Sequence, residues 1–433
     1  MTTDHEHITV YKGNIVDSPS MEELRTLENG YLVVNGDRVI GTYATLPEEY
    51  KGCAITDYGH RIILPGFVDL HFHAPQFANR GLGLDKELLP WLEEYTFPEE
   101  SKFKDLSYAK EIYPQVVHAL WKNGTTRSVI FGSVHKESTE FLLDLFIDAG
   151  LGAFVGKVNM DRNCPEFIVE DSDQSLSETL EIIEKYADQS DLVRPILTPR
   201  FVPVCSTPLM EKLGAFARDH SVFVQSHISE NQGEVDWVKE LHPDSLDYAS
   251  IYHDYGLFGH QPTIMAHCVF NTEKEIELMA KSGVYAAHCP HANYNLASGI
   301  MPVRNFLNKG VSVGLGTDVG AGHQVSIPKV MTAAVQASKI KWLESGKTLD
   351  PLKLSEVFYM GTKGGGRFFG KVGSFEADYA FDALVVDDRE LGTLNLTLKE
   401  RLERYLYIGD DRHIEKRYVA GKEVPEPKKL PDL

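Results

Sequence analysis

Leu64-Pro65-Gly66-Phe67-Val68-Asp69-Leu70-His71-Phe72-His73 is a short apolar run that ends on two histidines one residue apart. Bounded by Pro65-Gly66, it reads as a buried strand over residues 67–72. Side chains alternate in direction along a strand, so His71 and His73 point to the same side. Two imidazoles converging at a buried strand end are the start of a metal site. The competing reading is a pair of hydrogen-bonded structural histidines, and the rest of the chain decides between the two.

Three later strand ends supply the missing ligand types. Val222-Phe223-Val224-Gln225-Ser226-His227 closes on a histidine, with Glu230 three residues beyond. Thr263-Ile264-Met265-Ala266-His267 repeats the pattern, and Val311-Ser312-Val313-Gly314-Leu315-Gly316-Thr317-Asp318 ends on a carboxylate. Burial alone would scatter such residues along the strands. Their collection at one end points to a metal site.

Apolar runs at 67–72, 125–131, 152–158, 193–197, 222–225, 263–266, 284–287 and 311–315 alternate with amphipathic stretches such as 177–185, 272–282 and 329–342. Eight strand–helix units predict an α/β fold, a (β/α)8 TIM-like barrel over residues 65–370, with its active site at the C-terminal strand ends. His71, His73, His227, His267 and Asp318 fall at those ends. Before the barrel, residues 8–11, 31–34 and 38–43 read as strands, with Asn35-Gly36-Asp37 as a hairpin turn. After it, 381–386, 404–408 and 413–419 read as strands again, followed by an extended, weakly ordered tail over 424–433. Residues 1–64 and 371–433 are therefore expected to form one small β-sandwich domain from both chain ends. A total of 433 residues suits such a pairing of large and small domains. Lys363-Gly364-Gly365-Gly366 resembles a phosphate cradle but lacks Walker spacing, and reads as a helix start or a close backbone approach.

A formal net charge of −20 argues against nucleic acid or an anionic membrane as partner, and leaves a free base or nucleoside open. Met1-Thr2-Thr3-Asp4-His5-Glu6-His7 has no basic n-region, no apolar h-region follows it, and no run is long enough to span a bilayer. The five cysteines are widely spaced and form no Cys-x-x-Cys pair. A cytoplasmic protein with reduced thiols is the expectation.

Three imidazoles and a carboxylate suit a divalent ion, zinc first and Fe2+ second. A site with one open position lowers the pKa of bound water from 15.7 toward about 7. Asp318 can ligate the ion and also accept a proton, and Glu230 lies where it can shuttle one to a substrate. His267 fits either a ligand or a hydrogen-bonding role. Some hydrolytic barrels hold two metals bridged by a carboxylated lysine at the end of the fourth strand. Here that strand, Pro195-Ile196-Leu197-Thr198-Pro199-Arg200-Phe201, offers arginine, while Lys157 lies on the third strand, so one metal per chain is expected.

These motifs, with Gly373-Ser374-Phe375-Glu376 and Phe381-Asp382-Ala383-Leu384-Val385-Val386, resemble the amidohydrolase superfamily. Within it, His73-Ala74-Pro75-Gln76, the stretch from Leu88-Leu89-Pro90-Trp91 to Phe97-Pro98-Glu99, Phe154-Val155-Gly156-Lys157-Val158 and Gln225-Ser226-His227-Ile228-Ser229-Glu230-Asn231 are similar to guanine-deaminating members. The resemblance runs from about residue 64 to residue 386. It implies zinc on His71, His73, His227 and Asp318, Glu230 as proton shuttle, and His267 as the group steadying the attacking hydroxide. It implies that Gln76, Arg200 and Phe201 hold a purine, with His73, Ala74, Pro75, His227, Glu230 and Asp318 bordering it, and that the protein is a homodimer. Arg200 donates but cannot accept, which suits the O6 carbonyl of guanine better than the amino group of adenine. Trp91 reads either as a pocket cover or as core. One departure stands out: where the family commonly has Cys-Pro followed by Asn-Ser-Asn or Ser-Asn, this chain has Cys289-Pro290-His291-Ala292-Asn293-Tyr294-Asn295. The alternative readings are a metal-dependent deaminase or hydrolase of another aminated ring (a triazine, pterin or cytosine) and a metal-free barrel scaffold. The scaffold would have lost ligands, and all five metal-proximal positions are present.

Overall fold

The computed structural model describes residues 7–393 and 395–429. Four strands precede the main domain: β1 (Ile8–Asp17), β2 (Arg25–Asn35), β3 (Arg38–Tyr43) and β4 (Ala54–Pro65). The last was not expected, because its outer half, from Ala54 to Arg61, is polar and largely exposed and carries no apolar alternation.

Each of the eight apolar runs forms a strand. β5 (Phe67–His73), β6 (Thr125–Phe131), β7 (Gly152–Gly156) and β9 (Val193–Pro195) pair in parallel in that order, while the short β8 (Val158–Asn159) and β10 (Thr198–Pro199) pair with each other. A second parallel sheet runs β11 (Val224–Ile228), β12 (Thr263–His267), β13 (Tyr285–His288) and β14 (Ser312–Leu315). A parallel bridge between Leu197 and Val224 links the two sheets at one side. At the other, Asp318 N donates to His71 O at 2.8 Å and His73 N to Val319 O at 2.9 Å. The strands are buried along nearly their whole length, as parallel strands covered on both faces must be. This is a TIM-barrel-type α/β domain, with the strand ends of β5, β11, β12 and β14 brought to one place.

The chain then returns through β15 (Ala383–Val386), β16 (Ile414–Val419) and β17 (Lys422–Glu423). These join β1 to β4 in a single seven-stranded sheet of order β17-β16-β15-β4-β1-β2-β3. The sheet curls: Val39 N donates to Tyr379 O at 2.9 Å and Phe381 N to Asp37 O at 2.8 Å, carrying the β3 edge back toward β15. Tyr11, Phe381 and Tyr418 pack within the curl. Arg127 of β6 clamps Asp382, just before β15, through two hydrogen bonds of 2.6 and 3.0 Å. The expected strand at 404–408 is instead the end of a helix, Leu398–Ile408. Thr397 and Glu400 form a capping box, and Leu398, Leu402, Tyr405 and Leu406 bury one helical face. The short window over 404–408 concealed that period.

In the tail, Val424 O accepts from Trp121 Nε1 at 3.0 Å and Glu426 pairs with His118 at 2.8 Å, while residues 430–433 of the expected extended segment lie outside the described residues. Lys363-Gly364-Gly365-Gly366 is a close-packing element: a Cβ on Gly366 would lie 2.3 Å from Val372 O. Among the described residues no helix is long and apolar enough to cross a membrane.

Candidate active site

His71 and His73 end β5, His227 lies in β11, His267 ends β12, and Asp318 follows β14 by three residues. Their polar atoms converge. His71 Nε2 lies 3.2 Å and His73 Nε2 3.5 Å from Asp318 Oδ1, and His267 Nε2 lies 3.7 Å from Asp318 Oδ2. His73 Nε2 and His227 Nε2 are 3.0 Å apart. His227 Nδ1 donates to Arg200 O at 2.6 Å, which leaves its Nε2 as a bare lone pair facing His73. The His71 side chain is fully buried, yet neither of its ring nitrogens has a hydrogen-bond partner. Such orphaned polar atoms are costly unless something binds them.

A divalent ion fits this arrangement. Tetrahedral zinc at 2.0–2.1 Å from nitrogen spaces its ligand atoms by about 3.4 Å, close to the separations seen. Two overlapping sets qualify geometrically, His71, His73 and His227, and His71, His267 and Asp318, so the positions alone allow His267 either role. Burial and then the neighbouring His71 hold the His73 and His227 imidazoles well below the usual histidine range, keeping their lone pairs available. The Phe131 ring packs against three of these imidazoles, at centroid distances of 5.1, 4.5 and 4.7 Å from His71, His73 and His227.

Backbone geometry is unusual here. His267 and Asp318 have φ of 76° and 49°, in the left-handed region that side chains disfavour. Gly316 lets the chain pass: a Cβ there would lie 2.7 Å from His71 Cβ and 2.8 Å from Cys289 Sγ. Asp69, two residues before His71 on β5, accepts from Thr317 Oγ1 at 2.5 Å and from the amides of Thr317 and His71. It ties the end of β5 to the segment after β14, and burial pushes its carboxyl up to about 6.

Glu230 Oε2 lies 3.3 Å from His267 Nε2. Burial, then the charges of Asp318 and Glu234, push the Glu230 carboxyl well above the usual range. A carboxyl so placed binds a proton more readily than an exposed one, which suits it to proton transfer. His267 Nδ1 donates to Asn293 Oδ1 at 3.0 Å, fixing the ring and turning Nε2 toward Glu230 and Asp318.

The cluster opens on a pocket of about 400 Å3, including its mouth. His73, His227, Glu230, His267 and Asp318 line one side, and Gln76, Arg200 and Phe201 line it too, with apolar walls from Leu88, Trp91 and Leu296. Trp91 is both cover and core: it lines the pocket, is 1% exposed, and donates Nε1 to Leu82 O at 2.9 Å. Ala74 and Pro75 are buried in the turn that carries Gln76, and are not among the described residues lining the pocket.

Comparison with known proteins fits this geometry. Residues 62–424 match the amidohydrolase family. The chain belongs to the amidohydrolase family. It is 35% identical to guanine deaminase of Dictyostelium discoideum, over 96% of this chain and 98% of that one. Against guanine deaminase of Mus musculus the identity is 38%, over 87% and 86%. A solved guanine deaminase from C. acetobutylicum, with guanine bound in its active site, superposes with a TM-score of 0.95 at 50% identity, covering 96% of this chain and all of that one.

As an amidohydrolase, the chain supports its site partly with groups that the motifs had marked and partly with groups they had not. Lys157 is buried and engaged with Glu170. Of the unusual His291-Ala292-Asn293, Asn293 keeps its hold on His267, while the His291 ring sits 4.8 Å from that of His323. Two buried acids were not foreseen. Glu234 accepts from the Glu230 and Asn231 amides at 2.7 and 3.2 Å and from Tyr248 Oη at 2.6 Å, fixing the backbone at Glu230. Its signal was present as Asn231-Gln232-Gly233-Glu234, a capping box opening the helix Gln232–Leu241. Glu100, bonded to both Arg200 and Gln76, had no comparable signal, because periodicity does not say which of Glu99 and Glu100 turns inward.

Proposed function

We infer that the chain hydrolyses guanine to xanthine and ammonia with one zinc ion. The observation that carries this reading is that the imidazole–carboxylate cluster and the Arg200–Gln76 donors line one pocket. His71, His73, His227 and Asp318 hold the ion, with Fe2+ as the alternative occupant. Zinc, when bound, supplies a Lewis acid that makes water nucleophilic at neutral pH. Water oxygen bonds to guanine C2, the bond from C2 to the exocyclic nitrogen breaks, and ammonia leaves.

The chain's own groups manage the protons. Asp318 and Glu230 take a proton from the attacking water, and Glu230 delivers one to the ring and then to the departing nitrogen. His267, anchored through Nδ1 by Asn293, steadies the incoming oxygen with Nε2. Arg200 donates to guanine O6, Gln76 to the neighbouring edge, and Phe201 packs on the ring. Adenine carries a donor where Arg200 needs an acceptor, so the site disfavours it.

The same reading includes a closed (β/α)8 barrel over 65–370 and a small β-sandwich from 1–64 and 371–433; what supports a domain built from both chain ends is that their strands share one curled seven-stranded sheet. It also includes a cytoplasmic homodimer working in guanine catabolism, free of nucleic acid and membrane. Purified protein assayed by absorbance with guanine, adenine, cytosine and pterins tests it. Guanine turnover with adenine inert is expected, and a preference for any other ring overturns the assignment.

A further inference from the structure

We propose that Glu100 is a positioning residue that aims Arg200 and Gln76 at the purine carbonyl and so selects rings with an acceptor at that edge. The proposal rests on guanine as substrate and adds the group that enforces the choice.

Glu100 lies in the helix Phe97–Ser101, outside the barrel strands, and is 1% exposed. Its carboxylate accepts from Arg200 Nη1 at 2.5 Å, from Arg200 Nη2 at 3.0 Å and from Gln76 Nε2 at 2.8 Å. Both donors line the pocket, whereas Glu100 is not among the described residues that do. Glu99, its neighbour, engages Lys102 and Tyr108 instead.

Three consequences follow from donor and acceptor chemistry. A carboxylate only accepts, so Gln76 must turn its NH2 to Glu100, and its Oε1 takes the Gly320 amide at 3.1 Å; the amide has one orientation. The fork-to-fork contact fixes the plane of the guanidinium and leaves its remaining N–H groups for a ligand, with the Phe97 ring 5.2 Å from Cζ covering one side. The pair is also neutral overall, so the pocket presents fixed donors without a net positive charge, which matches a neutral lactam better than an anion. A buried ion pair is weak evidence for stability in itself. Here both of its hydrogen-bonded partners are the groups that meet the substrate.

The test compares wild type, Glu100→Gln, Glu100→Asp, Arg200→Met and the Glu100→Gln/Arg200→Met double variant. The readouts are kcat and KM for guanine, the inhibition constant of 2-aminopurine (guanine without its carbonyl oxygen), and zinc per chain. Glu100→Gln is expected to raise the guanine KM about 10–100-fold. Zinc should be unchanged, and 2-aminopurine inhibition should move less than about threefold. Glu100→Asp, which keeps the charge and withdraws the oxygens, should give the same selective loss in smaller degree, and it stands in if Glu100→Gln does not fold. Where Arg200 is already Met, adding Glu100→Gln should raise the guanine KM distinctly less than it does in wild type, the remainder being the part carried through Gln76. Equal losses for both ligands, loss confined to kcat or tracking zinc, or additive effects in the double variant overturn the positioning role while guanine turnover by wild type stands. Wild type inert toward guanine overturns the substrate reading and the positioning role with it.

Discussion

Replacing Glu230 with glutamine removes one ionisable oxygen while keeping the side chain's size and its place beside His267. Oε2 sits 3.3 Å from His267 Nε2, and Oε1 is buried without a hydrogen-bond partner, so the carboxyl is directed at the pocket rather than spent on holding the fold. A positioned acid–base group contributes about 10²–10⁴-fold in rate, or about 2.7–5.4 kcal/mol of barrier. Glu230 is 4% exposed and faces the cluster directly, which places the expected fall in kcat in the upper half of that range, about 10³–10⁴-fold. Stability should move the other way. The folded-state pKa is raised, by burial first and then by Asp318, so at pH above the ordinary carboxyl range this group costs the metal-free fold stability, and glutamine removes that cost. Steady-state kinetics with guanine, elemental analysis for zinc and thermal melts of metal-free protein measure all three. The reasoning fails if kcat stays within about threefold of wild type, or if activity falls only in step with lost zinc.

Other outcomes follow from the same geometry. Purified protein should carry about one zinc per chain, and His71→Ala or His227→Ala should remove both metal and turnover; two ions per chain by elemental analysis would count against a mononuclear site. Arg200→Met should cut kcat/KM for guanine sharply with zinc retained, and wild type should prefer guanine over adenine by about 10⁴–10⁵-fold; comparable turnover of the two bases would refute the carbonyl-donor role. Burial lowers His135 and His291 to about 4, below their unfolded value, so the unfolded chain binds more protons as pH drops through 6 and 5. Urea midpoints should therefore fall from neutral pH to about pH 5, and His135→Gln with His291→Gln should flatten that fall; an unchanged slope would show that these rings do not drive it.

The parts of this molecule legible in its sequence are those governed by local rules. Period-two alternation put His71 and His73 on one side of β5, and apolar runs ending on His227, His267 and near Asp318 marked the strand ends where the site forms. The spacing from His227 to Glu230 placed the acid just beyond its strand. Local rules failed where short windows mislead: the 404–408 segment looked like a strand until the capped helix Leu398–Ile408 revealed its longer period. β4 escaped because a half-exposed strand without alternation has no local signature.

Tertiary structure alone decided which polar atoms face one another. Four imidazoles from three strands, far apart along the chain, reach a common centre, and His227 gains its tautomer from the carbonyl of Arg200, 27 positions earlier in the sequence. Glu100 meets Arg200 across a separation of 100 residues, and no period in its own helix could announce that contact. Sequence patterns report the burial of a side chain, because burial repeats along an element. Its partner is set by how the elements pack, and that is written in no single segment.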